Sequence, residues 1–251
     1  MEKKVYADQP ANAGVKNALL RAQQLLKLRW TPVGSYPVVY PAGVIGGPTL
    51  KGFYRPNRPQ TGVGYSAVGY TNEKYVGVNV TLHTYMTAMA NPRSALYTRN
   101  QHERGRLSAA FYGTVCSEFA SYVLGFPFHI DCGQFSKMEE MEHVDTTALE
   151  NLQLCDLLNE PKSHTAVITG IDRDENGKVV SITVTESTLP KVMETVFLPE
   201  EFIAYYLKNK YEVVRYKKLH TVTYTPDPWV QLGDDPEAER PDTAHEPLMR
   251  R

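Results

Sequence analysis

The chain has 251 residues, of which 42% are hydrophobic and 22% are charged, and its formal net charge at pH 7 is −1. This length is enough for one sizeable buried core with extensions. Because positive and negative residues are interspersed, with no basic stripe or polybasic block, we exclude a nucleic-acid-binding surface.

The amino-terminal residues 1–61 predict one helix followed by an irregular arm. Apolar residues recur at the helical interval over residues 15–28, with good helix formers between them. Trp30 and Pro32 end this helix, and residues 33–59 are rich in proline, glycine and tyrosine. The aromatic side chains of the arm either pack on the core or form a wall that grips a sugar or a peptide. They are Tyr36, Tyr40, Phe53 and Tyr54.

A thiol stands at the start of a short amphipathic helix. Phe119, Tyr122 and Val123 recur at helical spacing after Cys116, and Gly125 is a natural stop. The unpaired N–H groups and the positive dipole end of a helix N-terminus stabilise a thiolate. Cys116 is therefore a candidate nucleophile, and the competing interpretation is a buried cysteine that packs as a small hydrophobe.

A hairpin follows, and it begins with a histidine. His164 opens a run of apolar and small residues that predicts a strand buried within a sheet. Residues 172–178 form a polar turn with Asn-Gly at its tip, and residues 179–186 alternate as a second strand. Alternation places Glu186 on the same face as Val184. A carboxylate there needs a partner, and a histidine ring nitrogen on the neighbouring strand can supply one.

These three side chains match the general pattern of an activated nucleophile. Cys116 would be the nucleophile, His164 the base and Glu186 the group that orients the imidazole. The alternatives are a surface or hydrogen-bonded role for His164 and a solvent-exposed strand end for Glu186. A displacement in register would bring Ser187 or Thr188 into the third position instead.

The three cysteines, Cys116, Cys132 and Cys155, show no close Cys-x-x-Cys pair and no histidines at zinc spacing. We therefore expect no metal and no cofactor. An odd number leaves at least one thiol free unless it pairs with another molecule. A bridge between Cys132 and Cys155 is one alternative, but we expect each to be an ordinary buried or loop residue.

The carboxy-terminal part predicts a helix, a closing strand and a tail. Pro199 stands near the first position of a helix, and residues 211–219 resemble a final strand. Residues 225–251 are rich in proline and acidic residues and lack the apolar content to form a core.

Several of these segments resemble motifs of the NlpC-type cell-wall peptidases, a branch of the papain-like cysteine hydrolases. Val-Cys-Ser-Glu-Phe from Val115 is similar to the family's Asp-Cys-Ser-Gly-Phe helix start, and Leu-Cys-Asp-Leu-Leu at residues 154–158 is similar to its Gly-Asp-Leu segment. The strand from His164 resembles its His-Val-Gly-Ile strand, and Gly-Tyr-Ser around Tyr65 resembles its tyrosine-containing segment. In this chain the cysteine precedes the histidine, as it does in those members of the family that are not circularly permuted.

The resemblance covers about residues 62–219 and implies an α+β, papain-like NlpC-type fold. In this fold, the helix bearing the nucleophile packs on a small antiparallel sheet. The hydrolase domain would occupy residues 62–224, with an insertion at about residues 70–105. The helix and arm of residues 1–61 would precede this domain, and the tail of residues 225–251 would follow it.

The implied activity is that of a bacterial cysteine peptidase, a thiol protease that hydrolyses an amide bond in peptidoglycan stem peptides. Tyr65 and Ser117 are then expected to contact the cell-wall peptide. Two departures stand out: Val115 replaces an aspartate that helps to hold the amine of the peptide, and Glu118 replaces a glycine. A non-catalytic module that binds wall fragments therefore stays open, as does a hydrolase or acyltransferase acting on lipid esters.

A cell-wall substrate implies an extracytoplasmic location, in the periplasm or secreted. No apolar stretch is long enough for a secretory signal or a membrane span. We therefore expect no stable membrane insertion, and an extracytoplasmic location would require that a signal was removed.

Overall fold

The computed structural model describes residues 4–34, 37–38, 50–51, 56–70, 81–99, 101, 107–227 and 231–233. Within these residues helices pack against one large antiparallel sheet, which confirms the α+β class. Four of the arm aromatics lie outside the described residues: Tyr36, Tyr40, Phe53 and Tyr54. Much of the predicted insertion and most of the predicted tail also lie outside them.

The secondary structure of the described residues is as follows. The strands are β1 (Val5–Ala7), β2 (Arg29–Trp30), β3 (Pro37–Val38), β4 (Leu50–Lys51), β5 (Gln60–Thr61), β6 (Gly69–Tyr70), β7 (Leu107–Ser108), β8 (Met141–His143), β9 (Leu157–Glu160), β10 (His164–Asp174), β11 (Val179–Ser187), β12 (Val192–Phe197) and β13 (Glu212–Tyr216). The helices are α1 (Ala13–Leu26), α2 (Thr81–Met89), α3 (Ala95–Thr98), α4 (Cys116–Val123), α5 (Cys132–Phe135) and α6 (Pro199–Phe202), with a π-helical turn at Ile203–Leu207 and 3-10 turns at Leu149–Asn151 and Leu219–Thr221.

The large sheet has the strand order β12-β11-β10-β9-β13-β8, and β1 pairs with the far end of β10. The predicted hairpin is present as β10 and β11, with Gly177 at φ +79° in its turn. The first strand continues to Asp174 although the sequence predicted a turn from Asp172. It does so because β1 supplies an antiparallel partner for these polar residues.

Helix α1 begins at Ala13, two residues before its predicted start, because the Asn12 side chain accepts the Val15 N–H at 3.0 Å and caps the helix. The helix contacts α4 and the turn at Leu219–Thr221. At Gly14 a Cβ atom would lie 2.1 Å from the Leu219 carbonyl oxygen, so only glycine allows this approach.

Helix α4 lies against β10 and β11, as predicted for the helix that bears Cys116. Its Phe119 and Val123 side chains are fully buried and belong to the same core as Val167 and Ile182. Each fully buried side chain of this size stabilises the fold by roughly 1.5–3 kcal/mol. This burial holds the N-terminus of α4 against the first residues of β10.

A buried ion pair fixes the start of β9. Both oxygens of the fully buried Asp156 carboxylate accept hydrogen bonds from Arg215 of β13, at 2.7 and 2.8 Å. Burial raises the pKa of Asp156, and the Arg215 guanidinium counteracts that rise. Cys155 precedes it at φ +70°, a left-handed conformation that favours glycine.

Among the described helices, none combines the length and the apolar character that crossing a membrane requires.

We predict that Arg215→Met lowers the free energy of unfolding by about 3–5 kcal/mol at pH 7, because it leaves the Asp156 carboxylate buried without its cation. Denaturant titration followed by circular dichroism measures the loss. Lys218→Met is the matched control, since Lys218 lies 3.8 Å from Glu140 at the surface and its removal should cost less than about 1 kcal/mol. Equal losses for the two variants would contradict a structural role for the buried pair.

Candidate active site

Cys116 is the first residue of α4, and it is 9% exposed. Its sulfur is hydrogen-bonded by the backbone groups of Ser117, in its own helix, and of Thr165, on β10. The neighbouring sulfur of Cys132 and burial raise the pKa of Cys116, and these two backbone contacts act in the opposite direction. The helix N-terminus and the adjacent strand thus both contribute N–H groups to one sulfur.

A second sulfur lies beside the first, which the sequence did not predict. Cys132 begins α5, and its Sγ is 3.9 Å from Sγ of Cys116. The alternative of a bridge between Cys132 and Cys155 was therefore wrong. All three cysteines are free thiols, and Cys155 instead lies near the carbonyl oxygen of Val15.

Hydrogen bonds from two directions hold Cys132 in this position. Ser121 of α4 donates to its own helix and accepts the Ile130 N–H at 2.9 Å, which ties the preceding loop to α4. On the other side, the Asn159 amide of β9 donates to the Cys132 carbonyl oxygen at 3.0 Å. Sequence periodicity detects neither tie, because both join residues that belong to different elements.

The two sulfurs form one titrating unit. Hydrogen bonding by the Cys116 thiol lowers the pKa of Cys132 to about 6, against the effect of burial, and hydroxyl groups of Thr165 and Ser117 and the charge of His164 act in the same direction. The same sulfur contact, together with burial, raises the pKa of Cys116 above its ordinary value. The two pKa values therefore belong to the pair and not to either sulfur alone.

The predicted contact between His164 and Glu186 is present in the structure. Imidazole Nε2 and carboxylate Oε2 are in direct contact, and the two side chains are 15% and 16% exposed. The ring edge of Tyr211 packs beside the imidazole, with centroids 6.5 Å apart. The Glu186 carboxylate therefore fixes the orientation of the ring and leaves Nδ1 as the nitrogen for any further proton transfer.

The predicted nucleophile and base are neighbours without a direct bond. Among the described residues, no hydrogen bond joins the Cys116 sulfur to the His164 imidazole. The sulfur instead contacts the backbone of Thr165, the residue that follows the histidine. His164 also acts electrostatically on the Cys132 sulfur.

The remaining predicted residues surround the start of α4. Tyr65 forms a parallel bridge with Thr114, two residues before the nucleophile. Close approach of these segments depends on Gly113, where a Cβ atom would lie 2.0 Å from the carbonyl oxygen of Gly64. The Ser187 hydroxyl is buried and donates to the Thr114 carbonyl oxygen at 2.7 Å, so it holds this loop and leaves Glu186 to contact the histidine.

A further histidine, which the sequence did not single out, contacts the other predicted substrate residue. His129 Nε2 is 2.8 Å from Oγ of Ser117. Burial lowers the pKa of His129, which favours a neutral ring at neutral pH. A neutral ring protonated at Nε2 donates to Ser117 and leaves the serine hydroxyl proton to reach Cys132.

Glu118, which replaces the family's glycine, lies on the first turn of α4. Its carboxylate accepts hydrogen bonds from Thr114 and from the Val115 backbone, which stabilises the charged form. Burial dominates and raises the pKa of Glu118 to about 7. Val115 is the N-cap of α4 and provides no side-chain cap.

Comparisons of the chain with protein-family models, with curated proteins and with solved structures found no match.

We predict that iodoacetamide near pH 7 alkylates Cys132 first and Cys155 last. Thiolates are the reactive form, and burial raises the pKa of Cys155 to about 12. Cys132→Ala should accelerate alkylation of Cys116 several-fold, because it removes the sulfur contact that raises the pKa of Cys116. Peptide mass spectrometry over time measures each rate. Cys155→Ala is the control, and an unchanged or slower Cys116 rate in Cys132→Ala would contradict the coupling.

We predict that Glu118→Gln stabilises the protein more at pH 8 than at pH 5. The folded state raises the carboxyl pKa to about 7, so it retains a proton that the unfolded chain loses at lower pH. Wild-type stability therefore falls as the pH rises between the unfolded and folded pKa values, whereas glutamine has no proton to lose. The advantage should grow by about 1–3 kcal/mol in denaturant titrations at the two pH values.

Glu175→Gln, at the exposed hairpin turn, is the control for the Glu118 variant. We expect little change in its relative stability between pH 5 and pH 8. If both variants showed the same pH dependence, burial of Glu118 would not be its cause.

Proposed function

We propose that this protein is a cysteine hydrolase of the papain-like NlpC type that cleaves an amide bond in bacterial peptidoglycan stem peptides. Cys116 is the nucleophile, His164 the general acid and base, and Glu186 orients the imidazole. One observation carries the proposal: a carboxylate-paired histidine opens β10, and the backbone of the next residue contacts a sulfur at a helix N-terminus.

The contact between the two sulfurs offers a route by which the Cys116 thiolate can form. The two sulfurs lie 3.9 Å apart and either can be the donor, so a proton on Cys116 can pass to Cys132. Transfer of this proton to Cys132 places the negative charge on Cys116, where the N–H groups of Ser117 and Thr165 stabilise it. Cys132 would therefore take up the proton that in simpler sites goes directly to the histidine.

The reaction then follows the chemistry of an acyl-enzyme. The Cys116 thiolate attacks the amide carbonyl carbon, and the backbone N–H groups at the start of α4 stabilise the oxyanion. His164 must enter this step as an imidazolium; it donates its proton to the departing amine and afterwards accepts one from the attacking water, which restores the imidazolium. The Glu186 carboxylate stabilises the imidazolium that is needed for the first of these steps.

The residues around the nucleophile restrict the substrate contacts that can be proposed. Tyr65, bridged to Thr114, and Ser117, bonded to His129, both border the start of α4. We assign both to substrate binding. Val115 offers no carboxylate to hold a peptide amine. We therefore do not propose the contact that an aspartate makes with this amine in the resembling family.

We expect the purified protein to release new amino groups from peptidoglycan fragments. Cys116→Ser and His164→Ala should lower the rate at least about 100-fold, and Glu186→Gln about tenfold or more, because each removes one part of the acyl-transfer site. Labelling of new amino ends and mass spectrometry of the products measure the rate. His143→Ala, at an exposed position on β8, should leave it unchanged.

The same assay separates the other interpretations of the site. Binding of fragments without any new amino end would overturn the proposal in favour of a wall-binding module. Turnover of lipid esters with intact wall peptides would place the activity in the lipid-ester or acyl-transfer class. Full activity of His164→Ala would remove that residue from the mechanism.

A further inference from the structure

The site contains two free thiols in contact, and their oxidation plays no part in the proposed hydrolysis. Cys116 and Cys132 each begin a different helix, and their sulfurs are 3.9 Å apart. A disulfide has a sulfur–sulfur distance of about 2.05 Å, so the two atoms must approach by roughly 2 Å. Cys155 is buried near Val15 and has no such partner.

The surroundings of the pair are polar, unlike those of cysteines that only fill a core. The hydroxyl groups of Ser117 and Thr165 lie beside the Cys132 sulfur. Thr165 donates its proton to Asn159 Oδ1, whereas Ser117 can donate to the sulfur when the His129 imidazole donates to the serine oxygen. A hydroxyl donor stabilises negative charge on a sulfur, and the thiolate is the form that attacks an electrophile.

Exposure assigns different roles to the two sulfurs. Cys132 is partly exposed, whereas Cys116 is 9% exposed. An oxidant from solvent therefore meets Cys132 first. Cys116 lies within the distance needed to resolve the product.

We propose that Cys116 and Cys132 form a redox-active dithiol site that a peroxide converts into a reversible intramolecular disulfide. The Cys132 thiolate attacks one peroxide oxygen, the O–O bond breaks, and the departing hydroxide is protonated to water. The Cys116 sulfur then attacks the sulfenic sulfur, the S–O bond breaks, and the Cys116 proton leaves with the hydroxide as a second water. The two sulfurs lose two electrons in total, and hydrogen peroxide gains them.

The disulfide removes the proposed nucleophile from the hydrolase reaction without destroying it. A dithiol reductant restores both thiols by exchange, whereas over-oxidation of a lone cysteine is irreversible. The effect on hydrolysis rests on the proposed function. Formation of the disulfide rests only on the two sulfurs and their surroundings.

The test treats the reduced full-length protein with hydrogen peroxide, blocks remaining thiols with N-ethylmaleimide after denaturation, and maps the peptides by mass spectrometry. We expect a linked peptide that joins Cys116 to Cys132, an unmodified thiol at Cys155, and complete reversal by dithiothreitol. Cys155→Ser is the matched control and should retain the link. Cys132→Ser should abolish the link. In this variant, we expect Cys116 to be oxidised at least about tenfold more slowly than Cys132 is oxidised in the wild type.

Three results would overturn the dithiol site: free thiols at both positions after treatment, a sulfinic acid at Cys132 without a link, or a link that involves Cys155. A hydrolysis assay on the same samples separates the two proposals. A reversible link in a protein that never hydrolyses wall fragments would sustain the dithiol site and overturn the proposed function. If hydrogen peroxide abolished hydrolysis without forming a link, the proposed function would stand and the dithiol site would be overturned.

Discussion

The antiparallel pairing of β10 with β9 and β11 positions His164, Glu186 and the polar groups around Thr165. Pairing with β9 sets Thr165 opposite Asn159, and pairing with β11 sets Val167 opposite Thr185. The first register lets Asn159 hold both the Thr165 hydroxyl and the Cys132 carbonyl. A slip of one residue would send each of these side chains to the opposite face of the sheet.

The second register determines which acidic or polar residue meets the histidine. With Val167 opposite Thr185, Glu186 falls on the side of His164, and Ser187 falls on the side of the Thr114 loop. The sequence predicted this assignment because strand alternation is a local property, legible from residues 179–186 alone. The start of α4 was predictable for the same reason, since its apolar residues repeat within eight positions.

Contacts between separate elements could not be predicted in this way. Cys132 meets Cys116 because Ser121 ties the intervening loop to α4, and no periodic pattern records such a tie. His129 meets Ser117 through the same loop. The extension of β10 depended on β1, a three-residue strand more than 150 positions away in the chain, and short exposed strands leave little signal.

The departures from the resembling family surround the N-terminus of α4. Glu118 brings a partly buried carboxyl group with a raised pKa within two residues of the nucleophile, and Val115 provides no side-chain cap. A charged Glu118 would disfavour a second negative charge nearby, whereas its protonated form would not. The contact with Cys116 lowers the pKa of Cys132, and the same contact raises the pKa of Cys116. The sulfur that an oxidant attacks and the sulfur that serves as the proposed nucleophile are therefore different members of one coupled pair. In the proposed enzyme, a reaction of Cys132 changes the state of Cys116, because the two sulfurs are in contact.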